Sequence, residues 1–297
     1  MRRYLLLLVS LLAAGLLAAA AGHAGPSGGG RIRVVAAENV WGSIAAQLGG
    51  ARVDVTSVVA NPATDPHDYE PSAVDARAFA EAKMVIASGA GYDPWAAKLV
   101  AANPVGGRVV LDVGDLVGTK AGGNPHSWYS PRDVHRVIAA IASDYAKLDP
   151  KDAAYFRARK AAFERHGLAL YDAVIARIER RYHGVAVGAS ESIFTPLAQA
   201  LGLKLVTPPS FLKAISEGTE PTAADTATID RQIAKRQIAV WILNSQNSTP
   251  DVARLTEAAR KRHIPVTTIT ETLTPASASF QQWQVRQLLA LEEALRR

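Results

Sequence analysis

The 297-residue sequence has no cysteine. That absence excludes disulfides, iron–sulfur clusters, thiolate zinc sites, a cysteine nucleophile and a lipid-modified cysteine. Any metal site must therefore use His, Asp, Glu or neutral oxygen ligands. Charge is also sparse: 20% of residues are Asp, Glu, Lys or Arg, and the formal net charge is +6. The excess is not gathered into a basic block, so no nucleic-acid partner is expected. Two catalytic signatures are missing, His-Glu-x-x-His and Gly-x-Ser-x-Gly. The dinucleotide fingerprint is incomplete, because Pro94 takes the place of the third glycine after Gly89-Ala90-Gly91.

What is present begins with a leader. Residues 2–24 read RRYLLLLVSLLAAGLLAAAAGHA. Two arginines, a long Leu/Ala run and small residues form the layout of a secretory signal peptide, 1–24, with cleavage after Ala24 or Ala21. An uncleaved anchor is the competing reading, since a membrane span needs roughly 20 apolar residues. Residues 25–30 are Gly-rich and read as a flexible linker. Cleavage at Ala24 removes two basic residues and no acid, which lowers the excess to +4. No later segment approaches a membrane span. A cysteine-free exported chain is expected to be soluble, periplasmic and without a lipid anchor.

From Arg31 short apolar runs alternate with helical patterns. Strands are expected over 32–36, 53–59, 84–87 and 109–111. Helices are expected over 41–48, 73–82, 92–101 and 132–148. Runs of this kind separated by helices predict βαβ units and a parallel sheet. Residues 150–182 break the rhythm, because apolar positions recur there at helical spacing with no strand pattern. Pro150 suits a first helical turn and Asp149 a cap. A helix of that length would run about 48 Å. The strand–helix alternation then resumes, with strands over 185–188, 204–207, 238–243 and 266–269. Helices are expected over 194–201, 224–235, 250–261 and 280–294. The expected fold is α/β. It has two lobes, 31–149 and 183–297, each with a mostly parallel four-stranded sheet flanked by helices. One long bridging helix, 150–182, joins them.

Four loops carry candidate chemistry. His67 lies in Thr64-Asp65-Pro66-His67-Asp68-Tyr69-Glu70-Pro71, and His126 in Asn124-Pro125-His126-Ser127-Trp128-Tyr129-Ser130-Pro131. Alone, each reads as a loop histidine. Both follow strands of one half, however, and both share a Pro-His…aromatic…Pro form. Open α/β sheets bind ligands at that carboxyl edge. Glu191 follows the first strand of the second half, in Gly188-Ala189-Ser190-Glu191-Ser192. Its bland reading is a helix cap, a role Ser190 or Ser192 could take instead. Glu271 follows the last strand, where a turn hydrogen bond is the bland reading. His135, His166, His183 and His263 sit in helical or helix-end patterns and read as surface residues.

These segments, in this order behind a leader, resemble the solute-binding proteins of zinc and manganese ABC transporters (cluster A-I). The anchors are Asp65-Pro66-His67-Asp68-Tyr69-Glu70-Pro71, Asn124-Pro125-His126-Ser127-Trp128, and the stretch from Glu191 through Phe194 to Leu201-Gly202-Leu203. The likeness covers about 34–295. It implies a periplasmic protein that captures Zn²⁺ or Mn²⁺ between two lobes and passes it to an ABC permease in the inner membrane. The importer's ATPase would lie on the far side. His67 and His126 match the first lobe's histidine ligands. Glu191 matches the third position, and Glu271 falls near the fourth. The Asn244-Ser245-Gln246-Asn247 loop stands where relatives often carry an acid. The segment 112–124 lacks the His-rich insertion of many zinc-type members.

Two imidazoles and two carboxylates would give a divalent cation a neutral shell, which offsets much of the cost of burying its charge. The Irving–Williams order favours Zn²⁺ over Mn²⁺ in such a set. Trp128, Tyr69 and Trp95 are expected to wall the site. A monomer is expected, with no enzymatic activity. Two other readings are an iron-chelate, haem or corrinoid carrier of the same fold, and a metallohydrolase with an open water position. A single stiff connecting helix predicts small lobe rotations with local loop ordering over 208–221. Metal release is expected below about pH 6, because ligating histidines must be neutral.

Overall fold

The computed structural model describes residues 30–64 and 69–297. The first half runs β1 (Ile32–Glu38), α1 (Asn39–Gly49), β2 (Val53–Val59), α2 (Ala73–Glu81), β3 (Met84–Ala87), α3 (Pro94–Ala102), β4 (Val109–Asp112), α4 (Val113–Val117) and α5 (Pro131–Leu148). The connecting region holds α6 (Ala153–Ala162) and α7 (Ala169–Tyr182). The second half runs β5 (Ala186–Ala189), α8 (Thr195–Ala200), β6 (Lys204–Leu205), α9 (Pro209–Ser216), α10 (Ala223–Ala234), β7 (Trp241–Asn244), α11 (Pro250–Lys261), β8 (Val266–Ile269) and α12 (Phe280–Arg296).

The strands form two parallel four-stranded sheets, ordered β2-β1-β3-β4 and β6-β5-β7-β8. The two halves thus repeat one topology, in which strand order reverses beside the first strand of each. Loops leaving β1 and β3, and those leaving β5 and β7, diverge there and open a crevice at the carboxyl edge. Burial on both faces explains the unbroken apolar runs: β3 is buried at all four positions. Along β1, Val34 and Ala36 enter the central core, whereas Val35 and Ala37 face a second cluster with Phe79 and Trp95.

The central core is continuous across both halves. It includes Trp41 and Ile44 of α1, Tyr171, Val174 and Ile178 of α7, Phe194 and Leu197, and Phe280, Trp283 and Leu288 of α12. The region 150–182 is helical, as the periodicity predicts, but not one uniform α-helix. A 3-10 turn (Pro150–Asp152) leads into α6, and a π-helical turn (Phe163–Gly167) separates α6 from α7. Gly167 sits in that wider turn, where a Cβ would come 2.8 Å from the Phe163 ring. Asp149 does not cap the start, since no side-chain capping bond forms there among the described residues.

Two helices escape the sequence pattern. The short α4 is capped by the Asp112 side chain, which accepts from Asp115 N. Residues expected to be a mobile loop, 208–221, hold α9 over most of their length. Pro209 starts that helix, and Phe211, Leu212 and Ile215 bury its inner face. Among the described residues, no helix is long and apolar enough to cross a membrane. The leader expected over 1–24 lies outside the described residues.

Candidate metal centre

The two sheets aim their carboxyl edges at one another, and strand register places the site residues just beyond the strand ends. Ala189 of β5 pairs with Ile242 of β7, so Glu191 and Asn244 each lie two residues further on. Asn244 pairs with Ile269 of β8, and Glu271 lies two residues beyond that. Glu191 has extended backbone and no capping bond; Ser190 instead accepts from the backbone N–H of Asn244 at 2.9 Å. The carboxylate is thereby left to face the crevice.

His126 comes from the other lobe. Ser127–Tyr129 form one 3-10 turn, and Ser130 caps α5 by accepting from Asp133 N. The apolar face of α5 (Val134, Val137, Ile138, Ile141, Tyr145) anchors this turn in the core. The Asn124 Oδ1 accepts from the His126 backbone N–H at 3.1 Å and lies 2.7 Å from Nδ1. Asn124 Nδ2 donates across the lobes to Ser192 O at 2.7 Å, which fixes which end of the amide faces His126. The proton therefore belongs on Nδ1, and Nε2 turns its lone pair to the crevice.

There Nε2 lies 3.4 Å from Glu271 Oε2 and 3.8 Å from Glu191 Oε1. One ligand atom from each of His126, Glu191 and Glu271 falls within 4.8 Å of the other two, and all three residues are buried. His67 lies outside the described residues.

Burying two carboxylates together is costly, and the structure shows how the cost is met. Burial, followed by the charge of Glu271, holds Glu191 well above the ordinary carboxylate range; hydrogen bonding from Asn244, and less strongly from Ser216 and Asn247, pulls the other way. The Asn244 amide donates to Glu191 Oε2 at 2.6 Å and to Glu271 Oε1 at 2.7 Å. Tyr92, from the opposite lobe, donates to Glu271 Oε2 at 2.8 Å. Burial and the neighbouring Glu271 push the Tyr92 phenol up, so it stays a donor. Glu191 Oε1 has no hydrogen-bond partner among the described residues. A buried carboxyl oxygen 3.8 Å from an imidazole nitrogen suits a cation between them, which would displace the proton.

Aromatic rings back the site. Trp128 meets the His126 ring edge-on at 5.2 Å, and Tyr92 does so at 5.7 Å. Tyr69 and Trp95 pair with each other at 5.1 Å, and Trp95 belongs to the second core cluster. Behind Tyr92, Asp93 accepts from Ser88 N and Gly89 N at 2.7 and 2.8 Å, pinning the loop that carries the phenol. Ser88 Oγ in turn donates to Glu38 at 2.7 Å. Burial and Asp93 hold Glu38 well above the usual range. A cavity of about 250 Å³ beside the site is lined by Tyr92, Asn124, Pro125, Ser192, Lys213 and Glu217, among others.

The sequence motifs thus bring three of the four expected residues together. Asn244, Tyr92 and Asn124 escape them as site residues. Asn244 had a positional signal, since it ends a strand at the reversal of strand order. Tyr92 had none beyond its place after a strand. Of the four histidines read as surface residues, His166, His183 and His263 are exposed and His135 is half-buried.

Comparisons with known proteins bear on the family and the fold. The model of the ZnuA family, zinc-uptake complex component A periplasmic, matches residues 34–294. The manganese-binding lipoprotein MntA of Halalkalibacterium halodurans is 25% identical over 169 residues, 54% of this chain and 53% of that one. The chain therefore spans about half the length of that relative. The metal ABC transporter substrate-binding lipoprotein FimA of Streptococcus parasanguinis is 24% identical over 88% of this chain and 86% of its own. Among solved structures, the periplasmic zinc-binding protein TroA of Treponema pallidum superposes with a TM-score of 0.75, covering 90% of this chain and all of that one at 18% identity. That likeness concerns the fold: two parallel sheets facing each other across a crevice. With the match running from β1 to the end of α12, the chain belongs to the ZnuA family, zinc-uptake complex component A periplasmic.

Proposed function

We propose that the protein captures a divalent transition metal, Zn²⁺ or Mn²⁺, between its two lobes and delivers it to an ABC importer. The ligands are His67 and His126 from the first lobe and Glu191 and Glu271 from the second. Delivery would take place in the periplasm, to a permease in the inner membrane. One observation carries this reading: three ligand atoms from both lobes converge within 4.8 Å in a buried pocket. That spacing suits one ion and is too tight for a haem or a metal chelate. Nitrogen and carboxylate donors suit Zn²⁺ and, with more oxygens, Mn²⁺.

The role is binding rather than catalysis. Three interlobe hydrogen bonds surround the ligands: Asn124 to Ser192, Tyr92 to Glu271, and the Leu273 N–H to Asn39 Oδ1 at 3.1 Å. Capture and release would then proceed through modest lobe motion, consistent with the core shared by both halves. The curated relatives above are named lipoproteins, whereas this chain has no cysteine to carry a lipid. A free periplasmic protein is the corresponding expectation.

Competitive titration with a chromogenic chelator tests the function. One Zn²⁺ or Mn²⁺ per chain, bound tighter than micromolar, is expected. Glu191→Ala and Glu271→Ala should each weaken it sharply. Absence of such affinity in the wild type would overturn the proposal.

A further inference from the structure

Asn244 is a neutral side chain held between two carboxylates, and each of its polar groups is used. It is fully buried. Its two amide protons go to Glu191 Oε2 and Glu271 Oε1, at 2.6 and 2.7 Å. Its Oδ1 accepts from the Gln246 N–H at 3.1 Å, and its own N–H donates to Ser190 Oγ at 2.9 Å. The amide therefore cannot turn over or swing away without breaking a buried bond.

This arrangement divides each carboxylate. An ion is held by both oxygens of a carboxylate only if both face it. Asn244 draws one oxygen of each glutamate away from the crevice. The remaining two, Glu191 Oε1 and Glu271 Oε2, are those 3.8 and 3.4 Å from His126 Nε2. A cation here meets one oxygen per glutamate. Zn²⁺ accepts four ligands in a tetrahedron, whereas Mn²⁺ favours octahedral, oxygen-rich shells.

We propose that Asn244 is a specificity-determining positioning residue. By tying one oxygen of each glutamate, it keeps the site at low coordination number and widens the preference for Zn²⁺ over Mn²⁺. The inference rests on the metal-capture reading above. It goes further by assigning selectivity to a residue that is not itself a ligand. Any site of these donors favours Zn²⁺ to some degree. The diagnostic quantity is therefore the change in the Zn²⁺/Mn²⁺ affinity ratio, not zinc affinity alone.

The test measures both dissociation constants by competition for the exported wild type and for Asn244→Ala. Loss of the amide removes the Asn244 bond from each carboxylate, leaving Tyr92 on Glu271 Oε2 and the weaker Ser216 and Asn247 bonds on Glu191, so each glutamate can turn a second oxygen to the ion more easily. Zinc affinity should fall by about 10–100-fold, as for other outer-shell partners of metal ligands. Manganese affinity should fall less or rise, so that the ratio drops at least about tenfold. Equal losses for both ions, or no change in either, would show a merely structural role and overturn the inference while leaving metal capture intact. A wild type that binds neither ion would overturn both. Should Asn244→Ala fail to fold, X-ray absorption of the zinc-loaded wild type decides. About four nitrogen and oxygen neighbours, with one oxygen per carboxylate, are expected. Five- or six-coordinate zinc with a two-oxygen carboxylate would refute it.

Discussion

Replacing Glu191 by Gln should move stability and metal affinity in opposite directions. Glu191 and Glu271 are buried within 4.8 Å of one another, counted at their ligand atoms. Two unit charges at that separation repel by roughly 3 kcal/mol at an effective dielectric near 20. Burial, and then the charge of Glu271, raises Glu191 well above the usual carboxylate range, so the wild type relieves part of this repulsion by holding a proton. Glutamine keeps the shape, and its carbonyl can accept the Asn244 bond, but it carries no charge. The metal-free variant should therefore gain about 1–3 kcal/mol, or roughly 2–12 °C in Tm at about 2–4 °C per kcal/mol for a chain of this size. Metal binding should suffer, because one anionic donor is gone. Loss of a ligand should exceed the roughly 10–100-fold cost of losing an outer-shell partner. A hundredfold weaker site forfeits about 2.3 kcal/mol of ligand-induced stabilisation at a metal concentration that is 100 times the wild-type Kd. Differential scanning calorimetry with chelator and with Zn²⁺ reads both effects in one series. A variant that melts lower than wild type when metal-free, or that keeps the full zinc-induced shift, would refute this account of the paired carboxylates.

Two further outcomes follow from the surrounding hydrogen bonds. Asn124→Ala removes the acceptor on His126 Nδ1 and the bond to Ser192 O, so zinc affinity should fall about 10–100-fold in a competition titration. A change under twofold would show that the imidazole is oriented without it. Glu38→Gln should flatten the pH dependence of stability. Burial, then Asp93, raises the folded carboxyl above its ordinary 4.5, so the folded state keeps a proton that the unfolded chain has lost. That contribution is complete below about pH 4.5 and drains away as pH rises towards the folded value. Urea unfolding should therefore show wild type losing stability from pH 5 to pH 8 relative to Glu38→Gln; parallel profiles would exclude Glu38 as the source.

Much of the fold was legible because burial writes itself into the sequence. Strands β2, β3 and β8 coincide with the apolar runs read for them, and α11 with its periodic segment. The π-helical turn at Phe163–Gly167 was not legible, since Gly167 marks a soft point without saying how the backbone uses it. Helix α9 was hidden behind two prolines that also suit a loop. Its amphipathic face has meaning only in the folded chain, where Phe211 and Ile215 pack with Ile229, Ile233 and Trp241.

The chain's own sequence determined the donor chemistry. Without cysteine, a transition-metal site must use nitrogen and oxygen, and the Pro-His loops and post-strand glutamates supply both. Tertiary structure alone decided how those donors are held. Asn244 reaches both glutamates because parallel register sets it level with Glu191 and two residues short of Glu271 at the edge of one sheet. Tyr92 reaches Glu271 because the two lobes share a core that brings their crevices face to face. Residues 179 and 27 positions from Glu271 in the chain thus hold one carboxylate. Such contacts depend on distances that exist only after folding, which is why no local pattern announces them.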